Sequence, residues 1–305
     1  MTPAPVPADS FLAGHDALLV DLDGVVHLGD SAVPGAADAL DGARAAGVAV
    51  MFVTNNASRT AAAVASGLQR IGVAAAEPEV LTSSMAAADY LAERLPAGAA
   101  VLVVGGEGLR EPVQAAQLRP VADAEAGPAA VVQGWSPDLT WALLAEGAVA
   151  VRRGAMWVAT NADATLPSAR GPLPGNGAMV TAVRLATGTD PHVVGKPAPT
   201  LFRAAAARLR AERPLVVGDR LDTDIAGAAA AGFPSLLVLT GVSTAADLLA
   251  APPELRPTYV ARDLSALAGA AAPIQRSDAA PVDDGLDGLR DTCRHAWSGD
   301  LPREH

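Results

Sequence analysis

Short unbroken apolar runs recur along this chain, and several stop abruptly at a polar residue. Ala17-Leu18-Leu19-Val20 ends at Asp21, Val48 to Val53 ends at Thr54, and Leu215-Val216-Val217 leads through Gly218 to Asp219. Apolar runs of this kind, without alternation, are what strands buried on both faces require. Ala-rich stretches with helical spacing lie between them. One, from about Gly35 to Ala46, is closed by Gly47 as a C-terminal cap. Another follows Val193-Val194 and carries apolar Leu201, Phe202, Ala205 and Leu209; Ser235 to Leu239 reads as a further strand. The alternation predicts an α/β fold with a Rossmann-like parallel-sheet core, whose ligand crevice lies outside the carboxyl ends of the strands. Asp21, Thr54 and Asp219 close three runs and Lys196 closely follows a fourth. Two carboxylates, a hydroxyl and an ammonium are therefore expected to converge.

Between Ser83 and Asp190 a second set of elements intervenes. Strands are expected at Val101–Val104, Ala130–Gln133 and Met156–Ala159, and helices near Ser84–Leu95 and Thr140–Arg152. This arrangement predicts a large α/β domain inserted into the first: core at 1–82, insertion at 83–189, core again at 190–272. Residues 273–305 form an acidic C-terminal tail. From 278 onward it holds seven acids and three arginines and is expected to be mostly mobile. Leu286, Leu289, Cys293 and Trp297 nevertheless stand at helical spacing, so a short amphipathic helix is the alternative there.

Composition narrows the partners. The 305 residues carry 22 basic and 33 acidic side chains, a net charge of −11, which argues against nucleic acid because phosphate backbones attract basic patches. Half the chain is apolar and only 18% charged, which excludes a disordered chain. No apolar run approaches ~18 residues, so no membrane-spanning helix is expected. The N-terminus lacks a basic segment followed by an apolar core, so no secretory signal is expected. The lone Cys293 fits a cytoplasmic, reducing environment. Two scarcities matter more. Of the 22 basic residues 21 are Arg and one is Lys, Lys196, and the only asparagines are Asn55, Asn56, Asn161 and Asn176. Where a compositional bias this strong is resisted, a specific chemical need is implied.

Asp21-Leu22-Asp23-Gly24 places two carboxylates at i and i+2 after a buried strand. Asp21, pinned at the strand end, can act as a nucleophile toward phosphorus, and Asp23 can protonate a leaving alkoxide and deprotonate a water. A solvated turn is the bland alternative. Thr54-Asn55-Asn56 offers a hydroxyl, side-chain amides and exposed N–H groups to phosphoryl oxygens, or forms a polar turn. Lys196, in Gly195-Lys196-Pro197-Ala198-Pro199, is either a surface lysine or a compact charge that neutralises phosphate and nucleophile. In Gly218-Asp219-Arg220-Leu221-Asp222-Thr223-Asp224, Asp219 is placed for a divalent ion and Asp224 to orient that ion's water, while Asp222 reads as a helix cap or surface charge. His27 either lines the cleft or sits on the surface.

Taken in order, D-L-D-G, T-N-N, G-K-P and G-D-R-L-D-T-D resemble the motifs of the haloacid dehalogenase superfamily of phosphatases. The resemblance spans residues 15–272 and implies a phosphoric monoester hydrolase with an aspartyl-phosphate intermediate. It implies a nucleophile at Asp21, an acid/base at Asp23, and phosphate binding by Thr54, Asn55, Asn56 and Lys196. Mg²⁺ would be held by Asp21, the carbonyl of Asp23 and Asp219, with Asp224 beside it. Asp at position 23 separates the chain from the dehalogenase branch. The insertion is similar to the large α/β cap of the p-nitrophenyl-, phosphoglycolate- and pyridoxal-phosphatase branch, whose members often dimerise through that cap. Cap loops read the leaving group, which directs attention to Gly134–Asp138 and Asn161–Leu166. Relatives often carry Asp where this chain has Ser136, and by the same resemblance pyridoxal phosphatases have Trp-His where Thr165-Leu166 stand. Without that aromatic clamp the expected substrate is a small phosphorylated metabolite: glycerol 3-phosphate first, then phosphoglycolate, then another sugar or aromatic phosphate.

Two other readings fail on spacing. Gly105-Gly106-Glu107-Gly108 lacks the glycines of a dinucleotide loop, and Gly188 to Lys196 lacks both the first glycine and the following hydroxyl of a nucleotide-hydrolase loop. Two further functions stay open at this point. One is phosphoryl transfer to an acceptor other than water; the other is a phosphometabolite-binding protein without catalysis.

Overall fold

A computed structural model describes residues 11–166, 170–269, 274 and 285–298. The first strand, β1 (Ala17–Val20), is buried at every position and opens into a loop holding two short paired strands, β2 (His27–Leu28) and β3 (Ser31–Ala32). Then follow α1 (Ala36–Ala45), β4 (Ala49–Thr54) and α2 (Ala61–Arg70). The middle of the chain contributes β5 (Val80–Thr82), α3 (Ser83–Ala92), β6 (Ala100–Val104), α4 (Glu107–Ala115), β7 (Arg119–Val121), β8 (Ala130–Gln133), α5 (Trp141–Arg152), β9 (Met156–Ala159), the small pair β10 (Thr165–Leu166) and β11 (Leu173–Pro174), α6 (Asn176–Thr187) and β12 (His192–Val193). The last stretch runs α7 (Thr200–Leu209), β13 (Pro214–Gly218), α8 (Ala226–Ala231), β14 (Ser235–Val238), α9 (Ala245–Leu249), β15 (Tyr259–Ala261) and α10 (Asp287–Ser298).

The chain divides into two compact units. One takes the chain up to Val53, Ser66–Glu79 and everything from Phe202; the other takes Thr54–Ala65 and Val80–Leu201. In the first, parallel strands run in the order β15-β14-β13-β1-β4, with Leu19 opposite both Val216 and Met51. β1 is thus flanked by β4 on one side and β13 on the other. The chain moves outward from β1 in one direction and later returns to the opposite side, and such a reversal opens a crevice at the strand ends.

The second unit has its own parallel sheet, ordered β12-β9-β8-β6-β7. Alternate residues of its strands face opposite ways. Val101, Val103, Val132 and Val158 pack with Leu91, Leu109 and Val113 on one face. Leu102, Val104, Val131 and Ala159 pack with Val151, Val180 and Val183 on the other.

Three expectations differ from this arrangement. The strand before Lys196 pairs with β9, so it is the edge of the second sheet and not a strand of the first. The contact division also places 54–65 and 190–201 with the middle of the chain, where the expected boundaries were 82/83 and 189/190. Hydrogen bonds between Asn55 and the Lys196 backbone are one reason. The acidic tail is not simply mobile. Residues 287–298 form α10, whose Cys293 packs with Leu221, Ile225, Leu237, Leu248 and Val260. The amphipathic alternative therefore prevails, because Leu286, Cys293 and Trp297 have an apolar surface to cover. The rest of the tail, 273 and 275–284 and 299–305, lies outside the described residues. Among the described residues no helix is long and apolar enough to cross a membrane.

Candidate active site

β1 and β13 lie side by side, Val20 opposite Val217, and each is followed at once by an aspartate. The amide of Asp21 donates to Val217 O at 2.9 Å, so ladder geometry still holds the chain where Asp21 begins. After Asp219 a π-helical turn, Leu221–Ile225, brings Asp224 back beneath the strand end, where its Oδ2 accepts the Arg220 amide at 3.2 Å. A Cβ on Gly218 would overlap the Asp224 carboxyl, so the residue before Asp219 has room only for hydrogen. The result is a cluster of three buried carboxylates, Asp21, Asp219 and Asp224, with one oxygen of each within 4.8 Å of the others.

A second loop holds Asp219. Val242 N–H donates to its Oδ2 at 2.7 Å, and Ser243 N–H to its carbonyl at 3.1 Å. Ser243 Oγ accepts the Leu221 amide, and the Thr240 hydroxyl donates to Gly24 O at 2.6 Å. Gly24 has φ +84°, and a Cβ there would stand 2.5 Å from Asp219 Oδ2. Its amide donates to His27 O at 2.9 Å, which fixes the peptide whose other end is the Asp23 carbonyl. Nothing in the sequence pattern marks Thr240–Ser243 as part of the site, since a turn after a strand is commonplace.

The Asp23 carboxylate stands apart from the cluster. Its side chain is 67% exposed, with Oδ1 3.7 Å from His27 Nδ1. Position and exposure suit a proton carrier and not a metal ligand; any contribution of residue 23 to a metal would come from its carbonyl. Asp222 is a surface charge, doubly hydrogen-bonded to Arg220 at 3.0 and 2.7 Å. That guanidinium holds its carboxyl below the usual range.

Thr54 is the buried last residue of β4, and its Oγ1 accepts the Asn56 amide at 3.1 Å. Asn56 is exposed and turns its Oδ1 to Ser58 N and Oγ. Asn55 behaves differently from the expected phosphate ligand. Its Oδ1 accepts the Lys196 amide at 2.8 Å, and its Nδ2 donates to Lys196 O at 3.0 Å and Asp163 Oδ2 at 3.3 Å. Both donor hydrogens are therefore committed inside the protein. Lys196, at 3% exposure, is buried and not a surface lysine. Asn161 donates to Asn55 O at 2.8 Å, and Asn176 to Asn161 O at 2.7 Å. Asn161 and Asn176 were thus part of the signal carried by asparagine scarcity, although only the pair Asn55-Asn56 stands next to a motif.

A hard divalent cation prefers oxygen ligands, and a buried set of carboxylates in one place is the donor chemistry it needs. The Asp21–Asp219–Asp224 cluster fits Mg²⁺ on that ground. Buried carboxylates at the reversal point of a parallel sheet, in a chain whose middle forms a second compact unit, define a class. The chain belongs to the haloacid dehalogenase-like hydrolases: that family's model matches residues 18–119, and a HAD-hydrolase-like model matches 193–267.

Individual relatives sharpen this. The D-glycerol 3-phosphate phosphatase of Mycobacterium tuberculosis is 54% identical over 253 residues, covering 83% of this chain and 71% of the relative. The acid sugar phosphatase of Staphylococcus aureus is 36% identical over 253 residues, 82% of this chain and 96% of its own. Among solved structures, a glycerol phosphate phosphatase of M. tuberculosis in complex with magnesium superposes with a TM-score of 0.90 at 47% identity, over 95% of this chain and 92% of that one. A p-nitrophenyl phosphatase from Archaeoglobus fulgidus gives 0.77 at 31% identity, over 83% and 98%.

Proposed function

We propose that this chain is a Mg²⁺-dependent phosphatase that hydrolyses a small phosphorylated metabolite, glycerol 3-phosphate, through an aspartyl-phosphate intermediate. The observation that carries it is the buried cluster of Asp21, Asp219 and Asp224 at the reversal point of the sheet. The magnesium complex of the 47%-identical mycobacterial phosphatase supports the metal, and the glycerol 3-phosphate phosphatase at 54% identity supports the substrate.

Asp21, Asp219 and Asp224, with the Asp23 carbonyl, would hold the ion. When bound it supplies positive charge that offsets repulsion between carboxylates and an incoming phosphate dianion. Asp21 is the nucleophile: an oxygen of its carboxylate bonds to phosphorus as the ester bond to the leaving alkoxide breaks. Asp23 gives its proton to that alkoxide, then takes one from the water that attacks the aspartyl phosphate. Inorganic phosphate leaves and the Asp21 carboxylate is restored. Lys196 and the Thr54 hydroxyl, with the Asn55 backbone N–H, bind the phosphoryl oxygens as charge redistributes. General acid/base help of this kind contributes about 10²–10⁴-fold.

Two finer readings join the proposal. The lone, buried Cys293 supports a cytoplasmic protein. Pairing of two copies through the inserted domain is the other, with Trp141 and Leu185, 82% and 79% exposed on α5 and α6, as candidate contacts.

The test is a turnover panel of phosphorylated metabolites with wild type, Asp21→Asn and EDTA-treated protein. Glycerol 3-phosphate is expected to be the best substrate. Asp21→Asn is expected to abolish release of phosphate while the protein keeps a cooperative native fold, and Mg²⁺ to restore the chelated wild-type enzyme. Turnover confined to aromatic phosphates would remove the substrate assignment, and activity surviving in Asp21→Asn would remove the mechanism.

A further inference from the structure

We propose that Asn55 is a positioning residue for Lys196, and that through Asn55 the 161–163 loop sets where the lysine ammonium stands. The functional consequence rests on the phosphatase reading above; the positioning itself does not. The side-chain amide of Asn55 grips both polar atoms of the Lys196 backbone, the amide at 2.8 Å and the carbonyl at 3.0 Å. Such a two-point grip fixes the orientation of a residue as well as its place. The grip is itself held. Asn161 Nδ2 donates to Asn55 O at 2.8 Å, and Asp163 Oδ2 accepts from Asn55 Nδ2 at 3.3 Å. The Asp163 amide turns back to Asn161 Oδ1 at 3.2 Å, and Asn176 secures Asn161 O at 2.7 Å. Ser83 Oγ adds a second donor to Asn55 O at 2.7 Å.

Three of the chain's four asparagines therefore form one relay that ends on its single lysine. Asparagine suits each step because one side chain both donates and accepts without adding charge. Space around the relay is equally constrained. A Cβ on Gly195 would run into Thr160 O and would lie 2.6 Å from Asn55 Oδ1, so only glycine can precede the gripped lysine. A Cβ on Gly177 would meet Ala162 O, which leaves the 161–163 loop little freedom on its other side. A loop suspected of reading the leaving group is thereby tied to the residue that meets the phosphate. An error of about 1 Å in a positioned group can cost ~10²-fold in rate.

Because Lys196 is the only lysine, protein grown on ¹³C-lysine gives one side-chain Cε resonance that reports its surroundings directly. In Asn55→Ala this resonance is expected to move toward the position of a free lysine, while the rise in melting temperature on adding Mg²⁺ stays at the wild-type value. Kinetically, Asn55→Ala is expected to lower kcat/KM ~10- to 100-fold in the wild-type background. In a Lys196→Ala background it should cost less than ~3-fold, because a residue acting through the lysine has nothing left to lose. An unshifted Cε resonance would overturn the proposal, as would losses that multiply in the two backgrounds. If Asn55→Ala fails to fold, Asn55→Asp takes its place. That variant keeps the shape and the acceptor for Lys196 N–H, loses the donor to Lys196 O, and faces the Asp163 carboxylate with like charge. A wild type inactive on every phosphate ester would refute the phosphatase reading, and the lysine resonance would still decide the role of Asn55.

Discussion

Three carboxylates gathered without a cation should strain the fold, and the strain can be measured. One oxygen from each of Asp21, Asp219 and Asp224 lies within 4.8 Å of the other two. At an effective dielectric constant near 20, each charged pair at that distance repels by about 3.5 kcal/mol or more. Asp219→Asn removes two of the three pairs, about 7 kcal/mol of gross repulsion, while its amide oxygen can still accept the Val242 N–H that Asp219 Oδ2 takes at 2.7 Å. Counterions and small side-chain shifts relieve part of the repulsion in the native protein, so a net gain of about 1–3 kcal/mol is expected. At about 2–4 °C per kcal/mol for domains of this size, the variant should melt about 2 °C or more above wild type in EDTA. Wild type should then gain on adding Mg²⁺, by about 2.7 kcal/mol at a hundredfold excess over its Kd, and Asp219→Asn should lose most of that increment. Scanning calorimetry of both proteins, each in EDTA and in Mg²⁺, gives all four numbers. An Asp219→Asn protein that melts below wild type in EDTA yet keeps the full Mg²⁺ increment would refute the reasoning.

Two other outcomes follow from buried groups away from this cluster. Burial pushes the Cys293 thiol up to about 11, against a smaller opposing pull from Arg294, so the native protein should resist a thiol-specific disulfide reagent at pH 8 and react fully once unfolded in guanidinium; fast labelling of the native chain would contradict the packing of α10. Burial beside Phe11 and Tyr259 also lowers the His15 pKa from its ordinary 6.5, an effect that outweighs the backbone hydrogen bond and nearby Asp16, which raise it. The unfolded chain then binds the His15 proton more readily than the folded one, so this contribution to stability is complete above about pH 6.5 and is lost as the pH falls below it. Urea unfolding at pH 7.5 and 5.5 should show a smaller acid loss in His15→Gln than in wild type, and equal losses would exclude His15 as a source.

The elements legible in the sequence are those whose burial leaves no choice. β1, β8 and β9 match the expected runs residue for residue, and β4 and β13 differ only at their ends, because unbroken apolar runs between turn signals fit nothing but an interior strand. Elements stabilised by a neighbour were not legible. α4 contains Pro112 and opens after two glycines, so its local pattern argues against a helix; it forms because Leu109 and Val113 complete the apolar face over Val101 and Val103. α10 was likewise undecided between helix and mobile tail, since its apolar stripe gains stability only where a surface made from Leu237, Leu248 and Val260 receives it. β12 was recognised as apolar chain but given to the wrong sheet, since a two-residue strand carries no signal for its partner.

The site divides along the same line. The meeting of Asp21 and Asp219 was readable because a residue at a strand end is placed by the strand, and the sheet order brings the ends of β1 and β13 together; Asp224 joins them only through the π-helical turn Leu221–Ile225. Asn55 was readable as important but not in its task. A side-chain amide following the Thr54 hydroxyl has the right chemistry for a phosphoryl oxygen, and no pattern reveals that its donors are already committed to Lys196 and Asp163, 141 and 108 residues away. The signal that did reach these positions was compositional. A chain that uses Arg 21 times and Lys once, and keeps only four asparagines, places the lysine and three of those asparagines in one hydrogen-bond network. Arg in place of Lys196 would bring a wider, planar group into a position of 3% exposure. Asp in place of Asn55 would set a second carboxylate against Asp163 and remove the donor to Lys196 O. Rare residues in a biased sequence thus mark hydrogen-bond networks that motif spacing does not show, and here three asparagines and one lysine meet in one of them.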